Sequence, residues 1–186
     1  MAHWSIPQIA LFWIHNGGLQ TGVQLTAAVA VCLAESGGND HAIGPAGDYG
    51  LWQINHTNFK AYGLNSSTAL DPNRNARVAV AMSGAGRNWA AWCTAWANPG
   101  PNCGHGNLPV PEIGSPADDH WDEVVGALRG VHLGTGVAIA GGNDATAPSN
   151  VITAWGQMQT YYGRTAPAHW KTIDGLQKAF GAVRPK

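Results

Sequence analysis

The stretch that decides the fold is Gln24-Leu25-Thr26-Ala27-Ala28-Val29-Ala30-Val31-Cys32-Leu33-Ala34-Glu35-Ser36-Gly37-Gly38-Asn39. Its first eleven residues contain no charge, and apolar side chains fall on every face of a 3.6-residue period. A helix of that kind is buried rather than laid on a surface. Thr21-Gly22-Val23-Gln24 has the spacing of a capping box and predicts the helix start. Gly37-Gly38-Asn39 predicts its end, immediately after Glu35-Ser36. The helix therefore carries one carboxylate, at its last turn.

The flanking sequence extends the helical pattern. Ile6, Ile9, Ala10 and Trp13 share a helical face, with Pro7 tolerable in the first turn and Asn16-Gly17-Gly18 as the stop. Residues 37–50 are glycine-rich and read as loop. Leu51-Trp52-Gln53-Ile54-Asn55 is a short apolar stretch with extended character. Asp71-Pro72-Asn73 opens another helix containing Ala76, Val78, Ala79, Val80 and Met82, and Trp89, Trp92 and Trp96 follow at spacings that place them on one helical face. Pro99, Pro101, Pro109, Pro111 and Pro116 mark the one composition shift. The expected division is therefore a domain at 1–110 and a helical extension at 111–186. Ser115-Pro116 predicts an N-cap and first helical position, ahead of Trp121, Val124, Val125 and Leu128. Residues 134–150 read as loop, with further helices over Val151–Tyr162 and Leu176–Phe180. No extensive sheet is expected, so the class is mainly α.

Composition narrows the partners. Charged residues are 11% of the chain and the net charge is -1. No basic excess exists to neutralise nucleic-acid phosphates or to hold an anionic membrane surface. No apolar run reaches the length of a membrane span. The N-terminus lacks the basic region and small-residue cleavage site of a secretory signal, so action outside a cell implies delivery in a virion or release by lysis. The 9 Trp suit either a core or the stacking faces of a carbohydrate groove. The histidines show no metal-binding spacing, and no nucleotide fingerprint is present, so neither a metal nor an organic cofactor is expected. Cys32 falls in the buried helix. Cys93 and Cys103 flank a turn-rich segment and are spaced to close a short disulfide loop; two free thiols is the alternative.

Four carboxylates precede residue 111: Glu35, Asp40, Asp48 and Asp71. Glu35 alone ends a strongly apolar helix. Loss of hydration there raises a carboxyl pKa, which suits a general acid that donates to a glycosidic oxygen. A glutamate that has simply reached an exposed helix end is the bland alternative. Glu35-Ser36, followed at Gly50 by Gly-Leu-Trp-Gln-Ile, resembles the lysozyme-like superfamily, in particular the soluble lytic transglycosylase-type domain of phage and actinobacterial members. Asn75-Ala76-Arg77-Val78-Ala79-Val80-Ala81-Met82 and Trp89-Ala90-Ala91-Trp92 complete the resemblance, which covers roughly residues 5–98.

The resemblance implies cleavage of the β-1,4 bond between N-acetylmuramic acid and N-acetylglucosamine in peptidoglycan, with Glu35 as acid and base. Asp48 is the candidate second carboxylate, needed for hydrolysis but not for transglycosylation. Ser36, Tyr49, Trp52, Gln53, Asn55 and Trp92 are the candidate substrate-binding residues. The Ala-Tyr-Asn-x-Gly segment common in transglycosylases is missing, which leaves the reaction type open. A second class of function also stands: a non-catalytic, glycan-binding component of a phage tail or contractile particle, with residues 111–186 docking to other virion proteins.

Overall fold

The computed structural model describes residues 3–20, 22–100, 103 and 106–128. The helices expected over 151–162 and 176–180, the loop at 134–150 and the capping role of Thr21 lie outside the described residues. Within them the fold is mainly α. Helix α1 (Ile6–His15) leads to α2 (Gly22–Ser36), a two-stranded hairpin (β1, Asp48–Tyr49; β2, Ile54–Asn55), the short α3 (Phe59–Tyr62), α4 (Pro72–Met82) and α5 (Trp121–Leu128), with 3₁₀ turns between them.

Local chemistry accounts for the boundaries. Ser5 N and Ser5 Oγ both donate to Gln8 Oε1, at 3.0 and 2.8 Å, which fixes the entry to α1. Asp71 caps α4 by accepting from Arg74 N at 2.8 Å, and Pro72 occupies the first turn. Helix α2 is buried along Gly22–Cys32 and becomes half-buried from Leu33 to Ser36. It is the central rod, touching α1 on one side and α5 on another. Its last turn thus emerges from the core carrying Glu35.

The hairpin is placed by one side chain. Asn75, wholly buried on α4, donates from Nδ2 to Tyr49 O (2.7 Å) and Ala69 O (2.9 Å) and accepts from Trp52 N (2.8 Å) at Oδ1. Every polar valence of that amide used for these bonds goes to backbone, so the hairpin cannot slide without leaving buried groups unpaired. Gly50 sits at φ 76°, and a Cβ there would lie 2.6 Å from Ala69 O. No side chain fits.

Two sequence expectations change. Trp89, Trp92 and Trp96 do not share a helix. Gly84, Ala85 and Gly86 adopt positive φ, and the chain continues as turns and a 3₁₀ segment at Cys93–Ala95. The indoles nevertheless gather inward: Trp13 lies 5.4 Å from Trp89, which lies 5.2 Å from Trp92. The composition shift near residue 110 is also not a break in the fold. Leu108, Val110, Ala117, Trp121, Val124 and Leu128 belong to the same hydrophobic core as α1 and α2. Among the described residues of the proline-rich segment, Leu108 and Val110 pack into that core, and Trp89 N donates to Leu108 O at 2.7 Å. The Ser115 hydroxyl accepts from Asp118 N at 3.2 Å, but the N-cap position of the following turn is Ala117 rather than Ser115. That turn is 3₁₀, and α5 begins only at Trp121.

Candidate active site

Glu35 lies half-buried at the end of α2. Burial pushes its carboxyl up from an ordinary 4.5 to about 7, a hydrogen bond from Thr94 opposes the rise, and repulsion from Asp48 adds to it. Desolvation is the largest of these effects, because the charged form loses more hydration than the neutral one. The Thr94 hydroxyl donates to Glu35 Oε1 at 2.5 Å. The group is consequently an acid that still holds its proton over part of the population at neutral pH.

Asp48, on β1, is the carboxylate whose charge Glu35 feels. Its Oδ1 accepts from Asn55 Nδ2 at 2.8 Å across the hairpin, where Asp48 and Asn55 are register partners. Tyr49 is half-buried beside it, its ring 5.2 Å from Phe59. Glu35, Asp48 and Tyr49 are the expected site residues whose side chains keep some exposure and are not spent on holding the backbone.

The remaining expected binding residues have internal duties. Trp52 is 0% exposed and donates from Nε1 to Ala28 O at 2.9 Å, so it has no face to offer a sugar. Trp92 is 4% exposed and donates from Nε1 to Trp52 O at 2.8 Å. Both are core indoles with their one donor satisfied. The Ser36 hydroxyl lies 2.8 Å from Leu51 O and 3.1 Å from Cys32 O and accepts from Gly38 N. It ties the end of α2 to the Gly50–Gln53 turn. Gln53, with φ 46°, donates from Nε2 to Gly50 O at 2.8 Å and Ala42 O at 3.1 Å, which holds the turn in its left-handed bend. Asn55 uses Nδ2 on Ala46 O and Asp48 and accepts from Thr57 N and Oγ1 at Oδ1. Within the described structure, Ser36, Gln53 and Asn55 brace the turn around Gly50 and remain half-buried, whereas Trp52 and Trp92 are buried.

Sequence reasoning missed Thr94. It sits beside Cys93, which is joined to Cys103 by a disulfide with Cα atoms 5.2 Å apart. Its carbonyl accepts from Ala117 N at 2.9 Å, and Ala95 O accepts from Glu112 N at 2.8 Å. Glu112 Oε2 in turn accepts from Ala97 N at 3.0 Å. Residues 112–117, beyond the expected boundary, thus brace the segment that reaches Glu35. Nothing in the local pattern marks Thr94, whose partner lies 59 residues away in the chain. Cys32 is a free thiol buried in α2, and burial pushes its ionisation up.

No described helix is long and apolar enough to cross a membrane. Among the described residues, no group of three His, Cys, Asp or Glu side chains is placed to hold a metal ion.

Residues 15–94 match the family model described as a lysozyme-like domain. Those residues are similar to such a domain, and the matched span runs from the end of α1 to Thr94, so both Glu35 and the residue hydrogen-bonded to it lie inside. Lysozyme-like domains point to the glycosidases and transglycosylases that act on peptidoglycan. No curated protein and no solved structure matches the chain.

Proposed function

We propose that the protein cleaves the β-1,4 bond between N-acetylmuramic acid and N-acetylglucosamine in peptidoglycan, with Glu35 as the general acid. The observation that carries this reading is a partly desolvated carboxyl, pushed up to about 7, at the end of the central helix of a lysozyme-like domain. The protonated carboxyl gives its proton to the glycosidic oxygen as the bond from that oxygen to the sugar C1 breaks. The leaving sugar departs as an alcohol, and positive charge spreads over C1 and the ring oxygen. Glu35, now a carboxylate, takes the proton from the incoming nucleophile.

The identity of that nucleophile depends on Asp48. Its influence on Glu35 and its hydrogen bond to Asn55 support a fixed negative charge near the oxocarbenium ion, the arrangement hydrolysis uses. Attack by the muramyl 6-hydroxyl, giving a 1,6-anhydro end, needs only Glu35. The repulsion Asp48 exerts on Glu35 supports the hydrolytic route, and the single-acid route stands as the alternative.

Clearing of purified sacculi, read together with co-sedimentation of the protein, tests the proposal. Wild type is expected to clear the suspension; Glu35→Gln is expected to sediment with sacculi and clear nothing. Wild-type sedimentation without clearing would instead favour the non-catalytic wall-binding component of a phage particle.

A further inference from the structure

We infer that Thr94 is a positioning residue for Glu35: its hydroxyl, held in place by the Cys93–Cys103 turn, fixes the carboxyl and stabilises the charge that appears on it when the proton leaves. This inference rests on the proposed acid role of Glu35. Four observations converge on it. The Thr94 Oγ1 to Glu35 Oε1 distance is 2.5 Å, within the range of a charge-assisted O–H···O bond. Thr94 is half-buried, so water competes poorly for either partner. The preceding residue is covalently anchored to Cys103. The Thr94 carbonyl accepts from Ala117 N at 2.9 Å. A threonine merely filling space would need none of this bracing.

The physical consequence is a differential one. A hydroxyl donating to Oε1 binds the carboxylate more strongly than the neutral acid. Glu35 is neutral before proton transfer and negative after it, so the Thr94 bond tightens as the glycosidic bond breaks. An interaction stronger in the transition state than in the ground state raises kcat rather than lowering KM. Burial keeps the proton on Glu35 at rest, and Thr94 limits how far burial raises its pKa. The opposing directions of the two influences agree with that division.

Two readouts test this on the full chain: the ionisation midpoint of Glu35, followed by carbon-13 NMR of its carboxyl, and the steady-state cleavage of sacculi. Thr94→Val and Thr94→Ala are each expected to raise the midpoint by about one pH unit, the scale of a hydrogen bond to a charged group. Thr94→Ser is expected to restore it. Cleavage by Thr94→Val should show kcat down about tenfold with KM unchanged, and its alkaline limb should move up with the midpoint. Thr94→Ala covers the case in which the valine variant does not fold. An unmoved midpoint in the folded valine or alanine variant, or a serine variant displaced as far as valine, would overturn the inference. Absence of cleavage by wild type would refute the acid role of Glu35, while the midpoints would still report whether Thr94 governs its ionisation.

Discussion

Replacing Glu35 with glutamine is expected to abolish cleavage and also to make the protein more stable above neutral pH. In the folded state the carboxyl is raised from 4.5 to about 7. Below the unfolded value both states are protonated and Glu35 contributes no penalty. As pH rises from 4.5 to about 7 the unfolded chain releases its proton while the folded chain keeps it, so the folded state binds more protons and its stability falls with pH. Above about 7 the full penalty is present and the dependence levels off. At about 1.4 kcal/mol per unit the displacement is on the order of 3 kcal/mol, trimmed by the partial solvent contact of the group. Glutamine keeps an amide oxygen to accept from Thr94 and carries no charge to desolvate. Urea denaturation of both proteins between about pH 4 and pH 9 gives the difference curve, from which the other titrating groups cancel. Near pH 4 the two proteins should agree closely; near pH 8 Glu35→Gln should be more stable by about 2–3 kcal/mol. In thermal melts that is about 2–4 °C for each kcal/mol at this chain length. A variant no more stable than wild type at pH 8, or a flat difference curve, would refute the claim that burial holds this carboxyl in its neutral form.

Three further outcomes follow from the geometry. Asp48→Asn removes the repulsion felt by Glu35, so the alkaline limb of the pH–rate profile should move to lower pH, and a loss of activity of about 100-fold or more is expected for the two-carboxylate route; an unchanged rate would support the single-acid route. Asn75→Ala leaves Trp52 N, Tyr49 O and Ala69 O without their buried partner and should cost about 2–4 kcal/mol in denaturant unfolding; a cost under about 0.5 kcal/mol would show that the hairpin is held by something else. The paired change Cys93→Ser with Cys103→Ser opens a loop of sequence separation 10 and should cost about 2–3 kcal/mol by the loop-entropy relation; it should also lower kcat in the manner of Thr94→Val, and unchanged kinetics would mean that the hydrogen bonds from Glu112 and Ala117 suffice to hold Thr94.

The parts of the molecule legible in sequence were those governed by local rules. The uninterrupted apolar content of α2 announces burial whatever surrounds it, and Asp71-Pro72 announces the start of α4 because cap and first turn are read within three residues. Glu35 was legible for the same reason: a carboxyl at the last turn of a buried helix has few ways to stay hydrated. Tertiary arrangement hid the rest. Trp52 and Trp92 have the same local signal whether they line a groove or close a core, and only the paths of α2 and the Gly50 turn decide between them. Trp89, Trp92 and Trp96 mimic a helical stripe because successive turns around one core also return a side chain inward every three or four residues. Gln53 and Asn55 look like ligands for sugar hydroxyls, and sequence alone does not show that their amide nitrogens also brace the loop, on Ala42 O and Gly50 O for Gln53 and on Ala46 O and Asp48 Oδ1 for Asn55. The proline-rich run near residue 110 suggests a boundary because proline withdraws from helices and sheets, yet its described residues Leu108 and Val110 are core residues.

Mass spectrometry of the fragments released from purified sacculi tests the central claim most directly. Wild type is expected to release glycan fragments with new ends on muramic acid, either reducing ends or anhydro ends lighter by one water, and Glu35→Gln is expected to release none. Fragments cut only in the peptide stems, or the same muramic ends in equal yield from Glu35→Gln, would contradict the assignment of Glu35 as the acid that breaks the glycan.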